Sequence, residues 1–378
     1  MTETKAVPAL LRALNERTIL EAVRASGPVS RAELARRTGI SRPTVSLVLR
    51  ALLEDGLVRE TTLDPGRPHY GAVYYEAEPE AALVLGVDFG SRSVRTALCD
   101  LAGEVRAREE IRSRGSVEER IAALESTCRS LLRTSKLDPD LLERAVVAVP
   151  AVVSPADGSV SAPDLAGLGA SDLTEQLERA VGAPVTLEND VNLAALGEQW
   201  RGVARGVDDF VFLSIGTGVG AGVVLGGELH RGRHGAAGEI DYALIAFDGV
   251  DPAAEKVSEL AAEVLGRAED PRTIFDAARE GDEGARVVVA EVARRIALQI
   301  APFGAVADVE LVVLGGGIGA NGDLLLDPVG RQLAEWLPFP PRLEVSTLGE
   351  AAVLTGALAV GVQAARENVF SRRSRVGR

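Results

Sequence analysis

The chain has 378 residues, 46% of them apolar and 25% charged, and a net charge of −14. That length exceeds one ordinary core and calls for two or three domains, and the composition excludes a disordered or fibrous chain. There is no uninterrupted apolar run of about 18 residues and no signal-like apolar segment in residues 1–20, so no membrane association and a cytoplasmic location are expected.

The charge is unevenly spread. Residues 1–75 hold 11 Lys and Arg against 8 Asp and Glu, a balance of +3, and the rest of the chain balances at −17. A mildly basic head on an acidic body is compatible with nucleic-acid binding by the head. Cys99 and Cys128 have no metal-type spacing, and a reducing compartment makes a disulfide between them unexpected. His69, His230 and His234 are too scattered to suggest a metal cluster.

In chain order, apolar residues at Leu14, Ile19, Ala22 and Val23 predict a helix over 12–25, ended by Gly27-Pro28. Ser30-Arg31-Ala32-Glu33 reads as a capping box that opens a second helix, which Gly39 stops. Ser41 caps a third helix, with Pro43 tolerated in its first turn and Val45, Val48, Leu49, Leu52 and Leu53 at helical spacing. Residues 57–75 read as two strands around a DPGRP turn, a wing. The acidic segment EAEPEA then suggests a linker, with the domain boundary set at 79–82.

Ala35, Gly39 and Val45 have the spacing of a helix-turn-helix. A small residue lets the two helices touch, a glycine takes the left-handed turn, and an apolar anchor seats the recognition helix. Ser41, Arg42, Thr44, Ser46 and Arg50 then face outward, suited to base edges and phosphates, and Arg67 at the wing tip is expected at a minor groove or phosphate. A helical module that packs on a partner protein is the competing reading. The concordance of cap, spacing and wing favours double-stranded DNA.

From residue 83 strands and helices alternate, which means an α/β body. LVLGVDFG, AVVAVPAVV and PVTLEND read as strands, 208–229 as a glycine-rich hairpin, 257–266 and 284–300 as helices, and ELVVLGGGIGAN as a strand running into a glycine loop. The basic end, RRSRVGR, reads as a frayed tail over 369–378.

The order VDFGSRSVRTALCDLAG, LENDVNLAALGE, SIGTGVGAGVVLGGELHRGRHGAAGEI and LVVLGGGIGANGDLL resembles the ROK family of repressors, open reading frames and sugar kinases. The resemblance implies an actin-like, hexokinase-type fold of two α/β lobes behind a winged helix-turn-helix at 1–78. One lobe would span 83–197, completed by a helix at 352–368, and the other 198–351. It implies a sugar or sugar-derivative site at Asn189, Asp190, Glu239 and Tyr242, with Glu259 as a further acid. Asp190 is the residue that would act as base in a kinase. Carboxylates and amides suit a polyol because each accepts or donates several hydrogen bonds.

The departures from the family matter as much. Tyr242 stands where the family has a zinc-ligating His and no cysteine cluster follows, so neither zinc nor another cofactor is expected. The first phosphate loop, Asp88-Phe89-Gly90-Ser91-Arg92-Ser93, lacks the second Gly and the Thr of the kinases. Asp88, Gly90, Gly216, Thr217, Gly218, Gly315, Gly316 and Gly317 therefore read as vestigial nucleotide loops, and no catalytic residue is expected. The sequence thus points to a sugar-responsive regulator of carbohydrate genes, most simply a repressor. It would be a homodimer or tetramer on a palindromic operator. A sugar kinase with a DNA-binding head and a ligand-independent DNA-binding dimer are the alternatives.

Overall fold

Caps and turn glycines set the first unit of the computed structural model, which describes residues 6–62, 73–90, 92–113, 115–161, 170–240 and 250–376. Helix α1 (Ala6–Ser26) is longer than its apolar pattern suggested. Helices α2 (Arg31–Thr38) and α3 (Arg42–Glu54) follow it. Strands β1 (Val29–Ser30), β2 (Val58–Thr61) and β3 (Tyr74–Ala77) pair in the order β1-β3-β2. The β2–β3 pair is the expected wing. The two-residue β1 is too short to carry a period and was not foreseen.

Among the described residues the body holds two five-stranded sheets. The first, in the order β10-β7-β4-β5-β6, contains β4 (Leu83–Phe89), β5 (Ser93–Asp100), β6 (Val105–Arg112), β7 (Leu142–Val149) and β10 (Val185–Asn189). Its centre is buried over residues 83–87 of β4 and 145–149 of β7, apolar runs such as a strand covered on both faces requires. Helices α4 (Val117–Ser135) and α5 (Ala170–Val181) lie on it, and β8 (Val152–Val153) pairs with β9 (Val160–Ser161) beyond β7.

The second sheet runs β13-β12-β11-β14-β15, from β11 (Phe210–Ile215), β12 (Val219–Leu225), β13 (Glu228–Leu229), β14 (Leu311–Gly315) and β15 (Arg342–Val345). Around it are α7 (Ala254–Leu265), α8 (Pro271–Glu280), α9 (Glu283–Ala307), the short α10 (Gly316–Gly319) and α11 (Gly322–Trp336). Helix α6 (Asp190–Arg201) leaves the first sheet and crosses α12 (Ala352–Val376) at Gly197 and Gly356, where the backbones touch. The lobe boundary expected after residue 197 therefore falls inside α6.

Two boundaries are corrected. Residues 79–82 are no free linker: Pro79–Ala81 is a 3-10 turn, Ala81 and Ala82 are buried, and the Leu101 amide donates to the Pro79 carbonyl at 2.9 Å. Polar Glu78 and Glu80 masked that burial. Helix α12 continues to Val376 through the expected tail, because Val362, Ala365 and Val369 extend one apolar stripe into the core of the head. That core also holds Ile19, Leu34, Val45 and Leu52, so the head and the first lobe share one packed interior. Removing residues 367–378 is expected to cost the head about 1–3 kcal/mol by deleting Val369 and its contacts. An unchanged first transition in calorimetry would contradict this.

Candidate DNA-binding surface and effector cleft

The head is built as its caps dictate. The Ser30 hydroxyl accepts from the Glu33 amide at 3.3 Å, while the Glu33 carboxylate engages Arg36 and Arg37, which hold its pKa down to about 2. Only half of the expected capping box therefore forms. Gly39 takes φ +70° and donates to the Ala35 carbonyl at 3.1 Å, closing the turn that a side chain would strain. Ser41 caps α3 by accepting from the Thr44 amide at 3.4 Å, and its hydroxyl lies 2.8 Å from that of Thr44. Val45 anchors the helix from beneath, with no exposed surface.

Arg42 and Arg50 are exposed on the outer face of α3, with Thr44 and Ser46 half-buried beside them. Ser41 is exposed but already committed as a cap. Leu47, 59% exposed on the same helix, was not singled out from the sequence. Its position off the Val45–Val48–Leu49–Leu52 stripe was the signal, and an exposed aliphatic group there suits a thymine methyl. Arg67 lies outside the described residues. Replacing Arg42 or Arg50 by Ala is expected to weaken duplex binding about tenfold and to lower the salt-dependence slope by about one each. Titrations at several salt concentrations check this; an unchanged slope would remove that arginine from the interface.

The body carries a cleft of about 470 Å³, lined from the first sheet by Arg92, Asn189 and Asp190 and from the second by Gly216, Thr217, Gly218, Glu239, Gly316 and Gly317. Asn189 ends β10 and caps α6: its Oδ1 accepts from the amides of Val191 at 2.9 Å and Asn192 at 3.0 Å. Its Nδ2 donates to the Ala151 carbonyl at 3.2 Å and to Glu239 Oε1 at 3.4 Å. Asn189, not Asp190, is therefore the cap of α6. Asp190, in the first turn of α6, accepts from the Val191 amide at 2.9 Å. Burial, helped by the charges of Asp88 and Glu239, pushes its carboxyl up to about 6. Gly238 sets the Glu239 backbone, taking φ +90° where a Cβ would collide with the Ala221 carbonyl.

A second cavity of about 350 Å³ opens behind Asp190, lined by Asp88, Arg95, Gly315, Gly316, Gly317 and Glu350 among others. Arg95 spans it, 3.5 Å from Asp88, 3.2 Å from Glu110 and 2.9 Å from Glu350. Burial raises the Asp88 carboxyl above its ordinary range and Arg95 partly offsets this. The loop after β4 is held by Arg120, which lies 4.8 Å over the Phe89 ring and donates to the Gly90 carbonyl at 3.3 Å. Neither Arg95 nor Arg120 was legible as part of a site. The loop glycines divide by steric need: Gly315 makes room for the Phe212 ring and Gly316 for the Ile215 backbone, whereas a Cβ on Gly317 meets nothing within 4 Å.

One expected ligand is not brought into the cleft. Glu259 is exposed on α7 and ion-paired to Lys256 at 2.9 Å, outside the cleft wall. Its acidic character satisfied the family pattern, but its helix turns it to solvent. Tyr242 lies outside the described residues. Among the described residues no group of three or more side chains could hold the family's zinc ion; Cys99 and Cys128 are buried, and burial pushes both thiols up to about 12. Among the described residues no helix is long and apolar enough to cross a membrane.

Comparison with known proteins places this geometry. Residues 13–59 match a winged helix-turn-helix DNA-binding family, and residues 84–364 match the ROK family. The chain is 25% identical to the xylose repressor of Caldicellulosiruptor bescii over 384 residues, covering 93% of this chain and 96% of the other. A crystal structure of a ROK family transcriptional regulator, a homologue of the E. coli Mlc protein, superposes with a TM-score of 0.78 at 23% identity, over 96% of this chain and 99% of that one. A ROK family glucokinase from Streptomyces griseus, crystallised with glucose and AMPPNP, superposes with a TM-score of 0.63 at 26% identity, over 75% of this chain and all of that one. With its family match covering most of its length, this chain is a member of the ROK family bearing an N-terminal winged helix-turn-helix.

Proposed function

We propose that the protein is a sugar-responsive, DNA-binding transcription repressor whose cleft has lost phosphotransfer. The observation that carries this is the shared core: helix α12 seals the first lobe and inserts Val369 among the buried residues of the head. Head and first lobe therefore move as one body, and a change in lobe angle reorients α3 relative to the second lobe. A sugar held by Asn189, Asp190 and Glu239 would favour one angle, by no more than its differential affinity for the two. In a homodimer that angle sets the spacing of two recognition helices, and half-sites about 34 Å apart tolerate little misplacement. The degraded loop, which lacks the second Gly of the kinases and carries Arg92, denies a triphosphate close backbone approach, Arg95 spans the second cavity tied to Asp88, Glu110 and Glu350, and the mechanism needs neither zinc nor another cofactor.

Asp190 favours a second reading as a sugar kinase, because a carboxyl near 6 suits a general base. Selection of bound fragments with the purified chain, followed by a sugar panel and an ATP-consumption assay, separates the two. A selected palindrome released by a sugar without ATP turnover supports the repressor. Turnover abolished by Asp190→Asn would establish the kinase.

A further inference from the structure

Glu188, one residue before Asn189, is buried although charged, with 6% of its surface exposed. Its Oε2 accepts from Arg231 Nε at 2.7 Å, and its Oε1 accepts from Asn192 Nδ2 at 3.0 Å on the first turn of α6. Arg231 opens the loop 230–240, which follows β13 of the second sheet and delivers Glu239 to the cleft. That loop touches both lobes. Gly235 packs against the Val153 carbonyl of β8, and Gly238 against the Ala221 carbonyl of β12. The Ala237 amide donates to the Arg231 carbonyl at 3.1 Å, closing the loop on its own anchor. Arg231 also lines a groove of about 820 Å³ bounded by Arg17 and Glu21 of the head and by Arg366 of α12.

We infer that Arg231 is the positioning residue of the cleft, clasping the Glu239 loop of the second lobe to the strand end that carries Asn189 and Asp190. This rests on the reading of that cleft as the sugar site. Glu188 is buried while Arg231 keeps 38% of its side chain exposed; such a pair is a poor source of net stability but an effective source of register, because breaking it strands a buried carboxylate. The pair fixes the distance between Asn189 and Glu239, which meet at only 3.4 Å and through one amide hydrogen. Without Arg231 the loop keeps its bond from the Ala221 amide to the Gly238 carbonyl at 2.8 Å but loses its tie to the end of β10, so Glu239 shifts against Asn189 and a polyol loses one wall of its hydrogen-bonding cage. Specificity then falls together with affinity, because a loose cage cannot reject a mismatched hydroxyl pattern.

The test compares Arg231→Gln, Arg231→Lys, Glu188→Gln and the double Glu188→Gln/Arg231→Gln in the full chain. Hydrogen exchange of the apo protein is followed at Ala237, Glu239 and Ile240, and binding is read as the thermal shift produced by D-xylose and by D-glucose. We expect at least tenfold faster exchange at those amides in Arg231→Gln and in Glu188→Gln, no further change in the double variant, and slow exchange regained in Arg231→Lys. Whichever sugar shifts the wild type should bind at least tenfold more weakly to Arg231→Gln, at unchanged apo affinity for the selected duplex. If neither sugar shifts the wild type, the exchange rates alone decide. Wild-type exchange in both single variants, or additive losses in the double, would overturn the inference. Loss of sugar binding in Asp190→Asn but not in Arg231→Gln would overturn it while leaving the cleft as the sugar site. Sugar binding indifferent to Asp190→Asn would instead remove the cleft reading.

Discussion

Gly356→Ala is expected to lower the stability of the body by about 3–5 kcal/mol, or the melting temperature by about 10 °C. A Cβ at this position would overlap the Leu193 carbonyl oxygen of α6, and Gly197 faces Ala352 in the same way from the other side. Backbone cannot rotate aside as a side chain can, so α6 and α12 must separate along their whole contact. Total stability of a domain is only about 5–15 kcal/mol, which makes this a large loss. The same separation shifts Asn189, the cap of α6, so sugar binding should weaken in parallel. Gly317→Ala is the control: its Cβ meets open space, and the cost should stay within about 1 kcal/mol. Urea denaturation followed by circular dichroism checks both. A Gly356→Ala midpoint equal to that of the wild type would show that the helices are less tightly apposed than their geometry indicates.

Asp190→Asn should abolish the response to sugar and at the same time stabilise the sugar-free protein. The fold holds the Asp190 carboxyl up at about 6, against an ordinary 3.8. The folded state therefore binds the proton more tightly than the unfolded chain does, and stability falls as pH rises through that interval. Above pH 6 the ionised carboxylate costs about 1–3 kcal/mol, taking about 1.4 kcal/mol per pH unit and discounting for water in an open cleft. Asn keeps the acceptor for the Val191 amide and removes the charge. Its gain should be full at pH 7.5 and vanish below about pH 4, where the wild-type carboxyl is protonated in both states. Sugar affinity in the wild type should weaken below pH 6, as the acceptor for a hydroxyl becomes protonated. Melting curves across pH with and without sugar test both halves. A destabilised Asp190→Asn protein at pH 7.5 would mean that Asp190 is retained for structure rather than for ligand.

The head was legible in the sequence because its signals are local. Ser30, Gly39, Ser41 and Val45 act on neighbours within a few residues, and the structure places each in the expected role. The groups that make the cleft work pair across long stretches of chain and leave no periodic trace. Arg120 reaches Gly90 over 30 positions, Arg231 reaches Glu188 over 43, and Arg95 reaches Glu350 over 255. The boundaries failed for a related reason. Polarity of Glu78 and Glu80 suggested a linker although Ala81 and Ala82 face the core, and basic residues at 372–375 hid a helix that carries Val369 and Phe370 onto the core of the head. Glu259 shows the converse: the right residue type, on a helix face that points away from the cleft.

The most direct test of a cleft that governs a DNA-binding head is an anisotropy titration of the full chain with its selected duplex and with a scrambled one, each with and without the sugar panel. The account predicts that the selected duplex binds at least about 10³-fold more tightly than the scrambled one, and that one sugar weakens this by tenfold or more in the wild type but not in Asp190→Asn. Equal affinity for both duplexes, or a selected duplex whose binding no sugar alters, would contradict it.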